Sequence, residues 1–276
     1  MPELPEVETI RRDLQTEIVG RTIAAVFLQE PEIVKHPDPE DFLIRLRGKR
    51  IESVDRQAKY LLFHLSDGYT WVVHLMLEGQ MLYLPEDANW LPETKLIVSL
   101  DNGYQLRMRD FVGYAKTLLL REDELGSVLK LRLLGPEPIA PGFTFGVFRQ
   151  RLNGRKGMIK PLLLNQQIIA GLGNIYVDEA LFLAGIHPGR KVTGLSDDEL
   201  HRIYEAIVQV LHDGIEHRGT SAVRGLYRDI FGKKGSHQEH LRVFRRQGEP
   251  CPGCEGVVEQ IVVSGRQTFL CPCCQH

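Results

Sequence analysis

Four cysteines near the C-terminus have the spacing of a metal site. Two residues separate Cys251 from Cys254 and Cys271 from Cys274, and sixteen residues lie between the pairs. The insert has strand-like residues on both sides of an SG turn, which places the two pairs at the ends of a predicted hairpin. Four thiolates in this pattern bind Zn²⁺ tetrahedrally and leave no position for water, so the sequence predicts one structural Zn²⁺. A redox CxxC motif or chance is the alternative, and Cys273 is interpreted as a bystander.

The first ten residues, MPELPEVETI, contain a second group of reactive side chains. A helix explains residues 5–18, because Pro5 suits a first turn and apolar residues recur at helical spacing after it. That helix leaves unexplained why Pro2 and Glu3 directly follow Met1. No basic segment and apolar run open the chain, so no signal peptide is predicted. The N-terminus itself is therefore a candidate reagent.

A third group combines glycines with an amide side chain in AGLGNIYVDEA, residues 170–180. Gly171 and Gly173 form only half of a dinucleotide-binding fingerprint. A tight turn into a helix, with free backbone amides and Asn174 facing an anion, is the favoured interpretation, and a purely structural corner is the alternative. Taken singly, Lys59 would be a surface lysine and Leu77 a core residue.

Composition and charge limit the classes of protein to consider. The chain has 276 residues, which is long enough for two domains with cores of their own. Its composition, 43% hydrophobic and 25% charged with a net charge of −2, is typical of a globular protein. Basic clusters lie in residues 149–160 and 216–246, and each is either a phosphate-binding surface or a solvated face. No apolar run is long enough to span a bilayer, so no membrane partner is expected. All cysteines lie in the last 26 residues, which favours a reducing cytoplasm over a disulfide framework.

The elements that must position these groups change in type along the chain. Short alternating segments separated by turn signals predict strands at 21–28, 58–65, 70–77, 79–84, 95–100, 104–109 and 114–120. Strands without intervening helices favour a β-sandwich or barrel. Helical patterns follow at 144–153, 159–168, 174–184, 196–215 and 220–229. The Pro- and Gly-rich segment 134–142 marks a domain boundary.

Six stretches, in this order, resemble the formamidopyrimidine-DNA glycosylase and endonuclease VIII family of base-excision repair enzymes. They are MPELPEVE, AKYLL around Lys59, HLMLEG around Leu77, LGPEP, IKPLLLNQQIIAGLGNIYVDEALFLAGIHP and GRQTFLCPCC. The resemblance covers the whole chain and implies an α+β multidomain fold. It divides the chain into an N-terminal β-sandwich with an N-terminal helix at 1–133, a helix–two-turn–helix domain at 134–240 and a zinc ribbon at 241–276.

The resemblance implies a role for the N-terminus. After removal of Met1, the secondary amine of Pro2 is the nucleophile that attacks C1′ of the sugar, expels the damaged base and forms a Schiff base, which permits β/δ-elimination of the phosphates. Glu3 is the acid–base partner that moves protons on the sugar. An α-amino group has a pKa near 8, so roughly a tenth of it is neutral at pH 7, whereas a lysine is almost wholly protonated.

The resemblance also assigns residues to DNA binding. The phosphate-binding positions of the family correspond here to Lys59, Lys95, Lys160, Asn174 and Arg266. Of these, the resemblance also places Lys59 among the catalytic residues. Glu6 belongs to the pocket of the nucleophile, and the hairpin turn of the ribbon projects Arg266 outward. A base must leave the helix before its sugar is attacked, and Leu77 matches the wedge that fills the hole.

One stretch departs from the pattern of the formamidopyrimidine glycosylases. Their loop reading Asp-Pro-Arg-Arg-Phe-Gly corresponds here to RMRDFVGYA, interpreted as about two residues shorter and lacking the arginine pair after Asp110. Phe111 is a candidate replacement for the wedge aromatic, and Arg109 for the missing arginine. The departure makes the lesion preference of endonuclease VIII an alternative.

Two classes of function follow from these motifs. The first is a bifunctional DNA glycosylase and AP lyase that acts on oxidised or ring-opened bases. The second is a non-catalytic relative that binds damaged DNA, and the intact Pro2–Glu3 pair argues against it. The expected partner is double-stranded DNA with a damaged base or abasic site. The protein is expected to be a monomer. Its expected location is that of a bacterial-type protein, in the cytoplasm and associated with the nucleoid.

Overall fold

The computed structural model describes residues 1–128 and 131–276 and divides them between two compact units. The first unit contains Met1–Arg132 and His217–Ser236, and the second contains Leu133–Glu216 and His237–His276. The assignment of His217–Ser236 to the first unit was not anticipated from the sequence. The division into domains at 1–133, 134–240 and 241–276 stays a prediction.

The helices begin and end as follows. In the first unit they are α1 (Leu4–Ile18), α2 (Pro39–Leu46) and α3 (Glu122–Val128), and in the second they are α4 (Phe145–Leu152), α5 (Ile159–Leu164), α6 (Asn174–Ala184) and α7 (Asp197–Glu216). Short 3₁₀ turns lie at Pro31–Ile33, Ser66–Gly68, Leu131–Leu133, Val192–Gly194 and His237–His240. Among the described residues, no helix combines the length and the apolar character needed to cross a membrane.

The strands are β1 (Ile23–Leu28), β2 (Val34–His36), β3 (Ile51–Gln57), β4 (Tyr60–Leu65), β5 (Tyr69–His74), β6 (Gly79–Pro85), β7 (Thr94–Leu100), β8 (Tyr104–Asp110), β9 (Lys116–Arg121), β10 (Glu259–Val263) and β11 (Arg266–Leu270). Within the described part of the first unit, one sheet has the order β1-β7-β8-β6 and is antiparallel. A second has the order β2-β9-β5-β4-β3, with β2 parallel to β9 and the other pairs antiparallel.

A hydrophobic core joins α1 to both of these sheets. Alternate residues of β7 are buried, as expected for a strand with one face on a core. One contiguous cluster includes Ile10 and Leu14 of α1, Trp71 of β5 and Met108 of β8. The predicted β-sandwich with an N-terminal helix is therefore confirmed. The other face of the five-stranded sheet buries a smaller cluster that includes Val72 and packs against α3.

Several sequence-based boundaries were wrong. No helix forms at 220–229, because Arg224 and Gly225 both adopt left-handed backbone angles (φ 54° and 64°) and the segment buries Tyr227 and Ile230 in the sandwich core. The predicted strand 70–77 ends at His74, and the predicted helix 159–168 ends at Leu164. The sequence analysis did not identify α2, α3, β2 or β3.

In the second unit, a β-hairpin packs against α6, a helix whose residues are mostly buried. Ser264 and Gly265 have positive φ values of 48° and 75°, which suit the two-residue turn between β10 and β11. The side chain of Asp178 on α6 accepts a hydrogen bond from the Phe269 amide of β11 at 3.0 Å and pairs with Lys160 Nζ at 2.6 Å. Because both charged side chains are fully buried, the pair is a desolvated link between α6 and the hairpin.

This buried pair leads to a prediction about stability. Lys160→Met would leave the Asp178 carboxylate buried without a cation, and we expect the free energy of unfolding to fall by about 3–5 kcal/mol. The measurement is chemical denaturation of the full chain followed by circular dichroism.

The matched control breaks an ion pair on the surface of the same unit. Arg149 and Asp197 lie 2.8 Å apart, and both side chains are more than half exposed. Asp197→Asn should change the free energy of unfolding by no more than about 1 kcal/mol. Equal losses in the two variants would contradict the assignment of a structural role to the buried pair.

Candidate functional site

The N-terminus of the chain is held at the start of α1 by a buried carboxylate. Pro2, Glu3 and Glu6 are all buried. Glu6 Oε2 accepts a hydrogen bond from the Glu3 amide, and Glu6 Oε1 accepts one from the Thr220 amide, both at 2.8 Å. A Cβ added at Gly219 would lie 2.8 Å from Glu6 Cγ, and the φ of Gly219 is 78°, so this neighbour must be glycine.

The amino group of Met1 lies in a partly buried and mostly acidic environment. Burial lowers its pKa below the usual 8.0, and Lys59 lowers it further, whereas the carboxylates of Glu3, Glu6 and Glu78 oppose the shift. An amine with a lowered pKa has a larger neutral fraction at pH 7 and is a better nucleophile. The environment therefore favours nucleophilic chemistry at the terminus, where Pro2 follows one residue later.

Lys59 is brought close to this amine and to a histidine that the sequence analysis missed. Lys59 is only 7% exposed and follows Ala58, whose φ is 52°. Burial, together with the charge of Lys59, lowers the pKa of His74 to about 4, so its ring is neutral at pH 7. The neutral ring accepts the Met76 amide at 2.9 Å on Nδ1. His74 is the last residue of β5, and no motif in the sequence distinguished it from the rest of the strand.

Leu77 lies at the turn that His74 supports. Its side chain is 45% exposed, as a wedge requires, although a core position was the alternative. Met76 has a φ of 51°, and the Gly79 amide donates to Leu75 O at 2.9 Å to close the turn. A Cβ at Gly79 would lie 2.4 Å from that oxygen, which explains why a glycine stands two residues after the exposed Leu77.

The loop that departs from the family pattern has the normal length, which corrects the sequence analysis. Asp110 accepts the Val112 amide at 3.2 Å and the Ala115 amide at 2.7 Å. These bonds close a loop of six residues, the same number as in Asp-Pro-Arg-Arg-Phe-Gly. Val112 and Gly113 occupy the places of the arginines, so that difference stands, and Tyr114, which is 55% exposed, occupies the place of the phenylalanine.

The two candidate replacements, Arg109 and Phe111, contact each other. The Arg109 guanidinium lies 4.8 Å from the centre of the Phe111 ring. Its Nε donates to Pro92 O, and its Nη1 donates to Gln80 Oε1, both at 2.9 Å. These bonds fix Arg109 on the surface of β8. Of the two loop aromatics, Tyr114 is exposed and Phe111 is half-buried.

In the second unit, Asn174 and Arg266 lie on neighbouring elements. Asn174 begins α6, and its Nδ2 donates to Gln267 O at 2.9 Å, next to Arg266. The Oδ1 atom of Asn174 is buried and has no hydrogen-bond partner among the described residues. Arg266 is exposed at the start of β11, directly after the hairpin turn.

Two lysines assigned to phosphate binding have other partners. Lys160 is fully buried, and its Nζ donates to Asp178 Oδ1, Thr268 Oγ1 and Gln267 O. Lys95 pairs with Glu30 and, at 3.3 Å, with Glu93. In this arrangement neither ammonium is presented to a phosphate, and Lys160 instead supports the strand that begins at Arg266.

The predicted cysteine site is assembled. The sulfur atoms of Cys251, Cys254, Cys271 and Cys274 all lie within 4.8 Å of one another. The amides of the residues two positions after Cys251 and Cys254 donate to these sulfurs at 3.3 Å, as thiolate ligands require. Cys273 is exposed and outside the cluster. The donor set suits one tetrahedral Zn²⁺, and four sulfur ligands exclude water from its first shell.

Sequence comparison finds three protein families along the chain. Residues 1–116 match the formamidopyrimidine-DNA glycosylase N-terminal domain, residues 134–224 match the formamidopyrimidine-DNA glycosylase H2TH domain, and residues 248–276 match a zinc finger found in FPG and IleRS. The third match and the cluster of four thiols identify a structural zinc site.

Individual relatives are similar over the full length. Formamidopyrimidine-DNA glycosylase of Herpetosiphon aurantiacus is 45% identical over 276 residues, which is all of both chains. That of Pelotomaculum thermopropionicum is 42% identical over 275 residues, covering 100% of this chain and 99% of the relative.

Solved structures agree with these relatives. The Lactococcus lactis Fpg in complex with DNA containing an abasic site has a TM-score of 0.91 and is 34% identical, with full coverage of both chains. The same Fpg with N7-benzyl-Fapy-dG DNA has a TM-score of 0.92 and is 35% identical, again with full coverage. The chain therefore belongs to the formamidopyrimidine-DNA glycosylase family of base-excision repair glycosylases.

Proposed function

We propose that this protein excises oxidised or ring-opened bases from double-stranded DNA and then cleaves the abasic site, with Pro2 as the nucleophile. The observation that carries the proposal is the burial of Pro2 and Glu3 at the start of α1, next to a Met1 amine whose partly buried surroundings include Glu3, Glu6, Lys59 and Glu78. The relatives of known structure were crystallised with abasic-site or lesion-containing DNA, which supports the same class of substrate here.

The reaction begins after Met1 is removed. The neutral nitrogen of Pro2 attacks C1′, the bond from C1′ to the base breaks, and the base leaves with the electron pair and takes up a proton. The Pro2 nitrogen then loses its proton, the C1′–O4′ bond breaks with O4′ keeping the electron pair and taking up a proton, and an iminium forms between Pro2 and C1′. Loss of a proton from C2′ expels the 3′ phosphate, and a second elimination expels the 5′ phosphate. Glu3 moves these protons on the sugar.

Separate residues bind the extruded nucleotide and fill the gap that it leaves. Lys59 lies beside the amine, and Arg266 and the amide end of α6 at Asn174 supply donors for phosphates in the second unit. Leu77 is the apolar wedge. Glu6 acts through Glu3 and Thr220, whose amides it holds.

A non-catalytic relative that only binds damaged DNA is the second class of function. It has no need of a partly buried amine with a lowered pKa, and we therefore favour the enzyme. A lesion preference like that of endonuclease VIII is supported by one observation, because Val112 and Gly113 replace the two arginines of the loop.

The first prediction tests the nucleophile. Borohydride should trap a covalent adduct with abasic-site DNA that maps to Pro2, and Pro2→Gly should weaken trapping. Glu3→Gln should lower base excision by about 10²-fold or more with little change in binding of DNA. Glu40→Gln, on the exposed side of α2, is the matched charge control. An adduct on a lysine, or mature protein that retains Met1, would refute the mechanism.

The second prediction tests the ribbon. Arg266→Ala should weaken binding of abasic-site DNA by about tenfold, since a charged hydrogen bond contributes about 1.5–3 kcal/mol, while zinc content stays unchanged. Cys271→Ser should lose both zinc and binding. Gln260→Ala, exposed on the neighbouring strand β10, is the control. Active protein without zinc, measured by metal analysis, would contradict the structural site.

The third prediction concerns the base opposite the lesion. A bidentate arginine contributes about 1–3 kcal/mol of discrimination between bases, and the loop lacks its arginines. Excision of 8-oxoguanine opposite cytosine and opposite adenine should therefore differ by less than about tenfold, and poorly stacked lesions should be favoured. Single-turnover kinetics on matched duplexes measure this ratio. Excision tens of times faster opposite cytosine would show that another residue reads that base.

A further inference from the structure

A cavity of about 410 Å³ lies in the first unit, apart from the terminal amine and its acidic neighbours. Strands β6 and β8, the segment at Ala88–Leu91 and the segment at Leu226–Gly232 enclose it. Its walls combine leucine side chains, among them Leu82, with the guanidinium groups of Arg109 and Arg228 and the ring of Phe111. Neither arginine has a role in the reaction proposed above.

Both arginines are oriented by neutral acceptors. Arg109 donates to Pro92 O and Gln80 Oε1, as described above, and the same Gln80 side chain donates to Leu226 O. Arg228 Nη1 donates to Tyr227 O at 2.7 Å. Within the described ranges, 1–128 and 131–276, neither guanidinium forms an ion pair, and the charge of Glu93 acts on Arg109 only beyond ion-pair distance.

The carboxylates nearest in sequence to these arginines have other partners. Glu93 lies within 3.3 Å of Lys95. Asp110 accepts the amides of its own loop. Asp229 is buried and pairs with Arg218 at 2.7 Å. Each of these three carboxylates thus has another partner, and none of them lines the cavity.

A third arginine adds positive charge behind the wall. Arg107 precedes Arg109 by two residues on β8, so both lie on the same face of the strand. It is only 3% exposed, and it donates to the backbone oxygens of Glu86, Ala88 and Asn89 and to a glutamine side chain. Burial lowers the pKa of Arg109, the charge of Glu93 opposes the shift, and the charge of Arg228 adds to it.

We propose that Arg109 and Arg228 bind a phosphate group of the DNA backbone in this cavity. Guanidinium groups that form no ion pair favour an anion, and a phosphate accepts their planar donors in pairs. Phe111 lines the cavity and is the second residue of the loop 110–115, so the cavity continues the surface assigned to DNA. The leucines pack against the sugar next to the phosphate. The inference rests on the proposed function, because it takes damaged DNA as the ligand.

The test measures how DNA binding depends on salt. The full chain is titrated into a duplex with a stable abasic-site analogue at a series of KCl concentrations, and log Kd is plotted against log [KCl]. Loss of one phosphate contact lowers the slope by about 0.9. We expect this decrease in Arg228→Gln and in Arg109→Gln, and Arg228→Lys should keep most of the slope.

The matched control is Arg224→Gln, which removes the same charge from the same segment. Arg224 is exposed and pairs with Glu78 at 2.7 Å, so its loss should leave the slope close to that of the unchanged chain. Thermal unfolding of each variant checks that it is folded. If only one of Arg109→Gln and Arg228→Gln folds, the slope measured with that variant is enough for the test. An unchanged slope in a folded cavity variant, or an equal decrease in Arg224→Gln, overturns the proposal.

Two further readouts separate the outcomes. Deoxycytidine monophosphate serves as a free nucleotide probe, and displacement of it by the duplex supports a backbone phosphate in the cavity. Equal binding of the probe to free and duplex-bound protein would assign the cavity to a free nucleotide and overturn the proposal. Borohydride trapping reports on the proposed function independently, because the slope is measured without any reaction.

Discussion

The buried carboxylate of Glu6 is the interaction on which the N-terminal region depends. It accepts the Glu3 amide at the start of α1 and the Thr220 amide of a segment more than two hundred residues later. Unpaired amides at a helix N-terminus favour a negative charge, so the contact stabilises the helix while fixing its first residues. A buried carboxylate would be costly without these donors, and Gly219 is required to let them approach. The position of the amine beside its acids follows from this one contact.

Helix α6 uses the same principle to hold the zinc ribbon. Asp178 accepts a strand amide of the hairpin, and the adjacent Glu179 accepts three consecutive amides, those of Arg242, Val243 and Phe244, at 2.8–2.9 Å. Both carboxylates are fully buried. Burial raises the pKa of Asp178 to about 7 and also raises that of Glu179. The sequence NIYVDEA therefore attaches α6 to the zinc ribbon, in addition to beginning the helix after the turn.

The sequence predicted the parts of the fold that repeat a local pattern, and it missed those set by distant contacts. The strands from 58 to 120, the long helix α7 and the four-cysteine cluster were found because periodicity and spacing encode them. The segment at 220–229 has helical periodicity, but Tyr227 and Ile230 complete the core of the sandwich, and packing decided its conformation. Glu78 and His74 were missed because only the folded chain brings Glu78 close to the amine and His74 close to Lys59.

The same limit governs the basic residues, whose role depends on which acids are near. Lys95 and Lys160 resemble phosphate ligands in sequence, yet the fold supplies each with carboxylates, so their charges are neutralised within the protein. Arg109 and Arg228 carry no such signal, and the fold leaves them beside an open cavity without an ion pair among the described residues. A net charge of −2 is therefore no obstacle to binding DNA. The positions of the compensating acids matter for binding, because a cation that forms no ion pair within the protein gains more by contacting a phosphate than one that is already paired.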